Sequence, residues 1–152
     1  MAITQVFERL YLGSADDAER LATSNSLGIT AVINVGTEKN QAKREGVIYI
    51  HIPLLDAQPV QPAVLEQVLA AISQNIRNGK ALIHCGAGMS RGPVMVAAYM
   101  HRIGYKHFTE ALLELQQLRP IVDPARCIFE SVKDQLRAGS MQRIRQNAKE
   151  EL

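Results

Sequence analysis

Residues 80–84, Lys-Ala-Leu-Ile-His, make an apolar run too short for a buried helix. The stretch that follows, HCGAGMSRGP counted from His84, carries three glycines and a proline. Such a run bounded by turn residues predicts a central strand. The small residues leading to Pro93 predict a tight turn into a helix, because proline is tolerated in the first helical turn. A buried strand that turns directly into a helix restricts the chain to layered arrangements of sheet and helix.

The rest of the sequence repeats that alternation. Leu10-Tyr11-Leu12 reads as a first, edge strand, and Ser14 caps the helix after it, with Asp16 and Asp17 where the dipole favours negative charge. Gly28 closes that helix, Ile29–Val35 reads as a buried strand, and Val47–Ile52 as a third strand stopped by Pro53. After a polar, proline-containing loop (Asp56–Pro62), Leu65, Val68, Leu69, Ile72 and Ile76 recur on one helical face up to Gly79. Three more helical patterns follow: about 93–103, ended by Gly104; about 110–118, capped by Thr109; and about 124–137. The expected fold is a single α/β domain with a central, mostly parallel sheet of about four to five strands flanked by helices. The expected domain is 1–137, and 138–152 a polar, basic tail or frayed helix with Met141, Ile144 and Leu152 as its only anchors.

At 152 residues a folded chain hides roughly 70% of its unfolded surface, enough for one core. With seven aromatics (3 Phe, 4 Tyr, no Trp) that core must be built from Leu, Ile, Val and Ala. A net charge of +2 lacks the basic excess of a nucleic-acid reader. No apolar run is long enough to span a bilayer, and Glu8 and Arg9 interrupt the place a secretory leader would need. Cys85 and Cys127 are too few for a disulfide scaffold and suit a reducing compartment, so the cytoplasm is expected. Oligomeric state is not legible; a monomer is the simplest expectation.

The chemistry concentrates after His84. Gly86, Ala87 and Gly88 let backbone N–H groups converge, and the helix that follows adds positive potential, which makes a nest for a dianion such as phosphate. Met89 and Ser90 complete the loop, with Met89 able to shape the rim. Cys85 sits at its mouth, where dipoles and a nearby arginine lower thiol pKa values into the ~3.5–7.5 range. The fork of Arg91 matches two phosphate oxygens and can follow them into a transition state. His before the cysteine, Gly three after it and Arg six after it coincide by chance on the order of once in ten thousand cysteines at average residue frequencies.

HCGAGMSR resembles the signature loop of the cysteine-dependent protein tyrosine phosphatases, and Ala87-Gly88 with Ser90 resembles their dual-specificity branch. LYLGSADDAERL…LGITAVINV, IPLLD and LRPIVDP are similar to further elements of that branch, so the likeness extends to about residue 137. It implies hydrolysis of phosphotyrosine, with phosphoserine and phosphothreonine as further candidates, in phosphorylated proteins or peptides. A cysteinyl-phosphate intermediate is implied and no cofactor. No His, Cys and carboxylate spacing argues a metal.

The leaving oxygen needs a proton. Asp56 lies 29 residues before Cys85, on a loop leaving the C-terminal end of a strand, the rim that parallel strands share. The resemblance makes it general acid and then base. Asp123-Pro124 is the rival, with a simpler reading as N-cap and first helical residue. His84 is expected to hydrogen-bond around the loop, Arg119 to brace it or merely end a helix, and Cys127 to belong to the core. Two departures stand out: Gly92 replaces the family's Ser or Thr after the signature arginine, and Ala125 replaces an Asn. Slowed breakdown of the phosphoenzyme is expected. A phosphate-binding module without turnover is the alternative; a rhodanese-like sulfurtransferase fits less well, because a loop of this size with this arginine suits phosphoryl transfer.

Overall fold

The computed structural model describes the backbone of residues 2–151 and the side chains of residues 2–139. Five strands, β1 (Thr4–Phe7), β2 (Leu10–Gly13), β3 (Ala31–Asn34), β4 (Ile48–His51) and β5 (Ala81–His84), form one sheet in the order β1-β2-β5-β3-β4. All pairings are parallel except β1 with β2. The helices are α1 (Ala15–Leu21), α2 (Pro62–Asn75), α3 (Arg91–Arg102), α4 (Phe108–Leu118) and α5 (Arg126–Glu151). The α/β class and mostly parallel sheet are those expected.

Alternation along the strands divides the core. Leu10, Leu12, Ile33, Ala81 and Ile83 face the larger cluster, which includes Met95, Met100, Leu115 and Val132 from the helices. Tyr11, Val32 and Leu82 face the smaller one with Ala18, Leu21 and Ile29. Aliphatic side chains thus fill both layers, as the scarcity of aromatics requires.

The register fixes where chemistry can gather. Gly13 and Asn34 both pair with His84 in β5, and Asn34 also pairs with His51. Four strands therefore end level, and the segments beginning at Ser14, Val35, Ile52 and Cys85 leave from one rim.

Several boundaries differ from expectation. Leu10–Leu12 lies inside the sheet, because β1 covers its outer side through an irregular antiparallel pairing between Gln5 and Phe7. Helix α1 stops at Leu21, and Gly28, at φ 72°, closes the turn beyond it. Asn25 holds that turn by exchanging side-chain bonds with the Ile29 backbone. Ser14 does cap α1, its Oγ accepting from Asp17 N while Asp17 Oδ2 accepts from Ser14 N. Helix α2 ends at Asn75, four residues before Gly79. Thr109 lies within α4, whose N-cap is His107. Helix α5 begins at Arg126, so Asp123 and Pro124 are not its cap and first residue. Its backbone continues through residue 137 to Glu151; the side chains of Met141, Ile144 and Leu152 lie outside the described residues. Cys127 is exposed, not core.

Candidate active site

Between β5 and α3 the chain reverses over residues 85–90, and every carbonyl from Cys85 to Met89 has a donor outside the loop. His84 Nδ1 donates to Cys85 O at 2.9 Å, and Ala15 N donates to Gly86 O at 2.7 Å. Arg119 Nε donates to Gly88 O at 3.1 Å and its Nη2 to Ala87 O at 3.5 Å. Asp123 N donates to Met89 O at 2.7 Å. With the carbonyls engaged from outside, the N–H groups of Gly86 through Arg91 have no protein acceptor among the described residues. Donors left in that condition beside a helix N-terminus suit an oxyanion.

Gly88 is required here. Its φ is 72°, and a Cβ would stand 2.7 Å from both Gly13 O and Arg119 Nη2. Ser90 ties the loop to the last helix: its Oγ accepts from Ala125 N at 2.8 Å.

Cys85 is buried, 3% exposed, on the floor of a pocket of about 350 Å³. Ala87, Met89, Ser90 and Arg91 line that pocket from the loop, Asp56 and Ala57 from the segment after β4, and Asp123, Pro124 and Ala125 from the approach to α5. Arg91 Nη1 donates to Leu54 O at 3.1 Å, and its Nε stands 3.9 Å from Asp56 Oδ1. The guanidinium is largely covered and the carboxylate largely exposed, 12% against 69%. Asp56 therefore reaches the pocket from an exposed loop, and Ala57 beside it, at φ 55°, is the non-glycine residue with left-handed backbone among those described.

His84 is buried, and burial lowers its pKa below the ordinary histidine value despite the Cys85 carbonyl acting the other way. The neutral ring fits its bonds: Nδ1–H donates to Cys85 O, while Nε2 accepts from Asn40 Nδ2 at 2.9 Å. Asn40 Oδ1 in turn accepts from Asn34 Nδ2. Asn34, a polar residue inside the mostly apolar run Ile29–Val35, could have been singled out on that ground; nothing in the sequence points to Asn40. A smaller hollow of about 180 Å³ adjoins the same loop and is lined by Asn34, Thr37, Glu38, His84 and Arg91 among others.

All the residues expected at the site are thus brought together, and so is Asp123, which shares the pocket with Asp56. An arginine-closed amide loop over a buried cysteine, on the C-terminal rim of a parallel sheet, is the arrangement of the protein tyrosine phosphatase superfamily. Within it, residues 10–134 match the dual specificity phosphatase catalytic domain, and the chain belongs to that family.

Dual specificity protein phosphatase 5 of Rattus norvegicus is 31% identical over 122 residues, 79% of this chain and 32% of the relative. Dual specificity protein phosphatase 18 of Rattus norvegicus is 29% identical over 137 residues, 86% of this chain and 65% of the relative. The chain spans about a third of the length of the former. Among solved structures, DUSP15 superposes with a TM-score of 0.82 at 26% identity, covering 99% of this chain and 97% of that one. Human DUSP28 gives 0.79 at 26% identity, covering 91% of this chain and 99% of that one. Among the described residues, no helix is long and apolar enough to cross a membrane.

Proposed function

We propose that the protein hydrolyses phosphomonoesters on phosphorylated proteins or peptides, with phosphotyrosine as substrate and phosphoserine and phosphothreonine within its range. The observation that carries this reading is the loop whose carbonyls are all engaged from outside while its amides have no protein acceptor among the described residues. Cys85 Sγ attacks phosphorus in line, and the bond to the leaving oxygen breaks as Asp56 supplies its proton. The amides of Gly86–Arg91 and the Arg91 fork hold the three equatorial oxygens through the transition state. Water, deprotonated by Asp56, then attacks phosphorus, the P–S bond breaks, and phosphate leaves with Cys85 restored as thiolate. No cofactor takes part. A nucleophilic thiol needs a reducing compartment, which supports the cytoplasm as its place of work.

Wild-type protein is expected to hydrolyse a chromogenic aryl phosphate with chelator present, and Cys85→Ser to fall to background. Absence of hydrolysis in the wild type, with phosphopeptide binding retained, would replace the enzyme with a phosphate-binding module.

Gly92 sets the second half-reaction. A Cβ there would lie 3.6 Å from Cys85 Sγ, its tightest neighbour being the end of the buried Leu12 side chain at 3.1 Å, which must give by a few tenths of an ångström. A serine hydroxyl on that carbon reaches the sulfur as it leaves, and glycine has none. Rapid mixing should therefore give a burst of product followed by slow turnover. Gly92→Ser should speed the slow phase about tenfold, the worth of one hydrogen bond to a charged group. A linear trace with no gain in the variant would reject slow dephosphorylation.

A further inference from the structure

Two carboxylates line the pocket, and the reaction uses one of them. Asp123 differs from Asp56 in how it is held. Its backbone N–H is held on Met89 O at 2.7 Å, and the Pro124 ring restricts the Asp123 backbone that precedes it. Its side chain is exposed and has no ion pair among the described residues. Arg126, three residues on, is turned to Glu130 at 3.0 Å. Among the described residues, Arg91 is the only cation lining the pocket, and it serves the phosphoryl group.

A substrate presenting its phosphate to Cys85 thus brings its adjoining residues toward a carboxylate on a held backbone that has no ion-pair partner among the described residues. A second phosphate or an acidic side chain there meets repulsion; a lysine or arginine meets a partner. We infer that Asp123 is a specificity-determining residue, selecting phosphopeptides with a basic residue beside the phosphorylated one and rejecting acidic or doubly phosphorylated ones. The inference rests on the phosphoprotein reading above, but its test does not require turnover.

The test is binding of three phosphotyrosine peptides that differ only in a flanking Lys, Gln or Glu, measured by fluorescence anisotropy on Cys85→Ser protein. The Lys peptide should bind about tenfold more tightly than the Glu peptide at low salt, the scale of reversing one charge at a solvent-exposed contact. The preference should shrink as salt shortens the screening length. Adding Asp123→Asn should reduce the ratio to about twofold, and Asp123→Lys should invert it, again on that Coulomb scale.

A ratio unmoved by either Asp123 substitution overturns the assignment, as do equal affinities in the starting protein or no binding of any peptide. If the wild type hydrolyses no aryl phosphate yet the ratio follows position 123, the enzymatic reading fails alone and the assignment stands.

Discussion

Asp56→Asn is expected to lower kcat/KM about a hundredfold on phenyl phosphate and only a few-fold on a dinitrophenyl ester, the range general acids contribute to a poor leaving group. A phenoxide of high basicity cannot depart without a proton, whereas a strongly acidic phenol can. Across a series of aryl phosphates the wild type should therefore depend weakly on leaving-group basicity, and Asp56→Asn steeply. Geometry favours Asp56 over Asp123: its Oδ1 lies 3.9 Å from Arg91 Nε, beside the group proposed to clamp the phosphoryl oxygens. Its loop is also free of the backbone bond that fixes Asp123, so Asp56 can follow the scissile oxygen.

The same series on Asp123→Asn decides between the two residues, since both line one pocket. A weak dependence like that of the wild type keeps Asp56 as the acid. A steep dependence in Asp123→Asn with a weak one in Asp56→Asn would transfer the role to Asp123.

Why the site was readable before the fold lies in what each residue needs. Cys85, Gly88 and Arg91 are brought together within one strand-to-helix turn, so spacing alone places them. Asp56 could be placed because parallel strands end on a common rim, which the apolar runs already implied. Strand β1 escaped because its pairing is irregular between Gln5 and Phe7, which breaks the alternation that marks a strand. The start of α5 was misread because Asp123-Pro124 is a good capping signal taken by a tertiary bond: Asp123 N is held by Met89 O. Asn40, meeting His84 across 44 residues of chain, and Leu54 O, receiving Arg91, have no local signature at all. Their roles exist only once four strand ends lie level.

Arg119 is where the fold and the pocket loop meet, and its replacement should have the largest structural effect. The side chain is fully buried. Besides the carbonyls of Gly88 and Ala87, its Nη1 donates to Ala2 O at 2.8 Å and Thr4 Oγ1 at 3.1 Å. Its Nη2 stands 4.0 Å from the buried carboxylate of Asp17. The N-terminal segment, α1 and the loop after β5 thus all depend on one guanidinium. Removing one partner of a buried charged network leaves the others desolvated and unmatched, which costs about 3–5 kcal/mol. In a domain of this size Arg119→Ala should lower the melting temperature by about 10 °C. Arg119→Lys, keeping the charge but losing the planar fork, should recover part of that stability while leaving the Ala87 and Gly88 carbonyls poorly held. The loop would then no longer keep its amides turned to the pocket, so Arg119→Lys should lose affinity for inorganic phosphate even at temperatures where it is fully folded. A melting temperature within about 2 °C of wild type for Arg119→Ala, well inside the shift a lost buried partner should give, or a folded Arg119→Lys that binds phosphate unchanged, would mean that the loop stands without its brace.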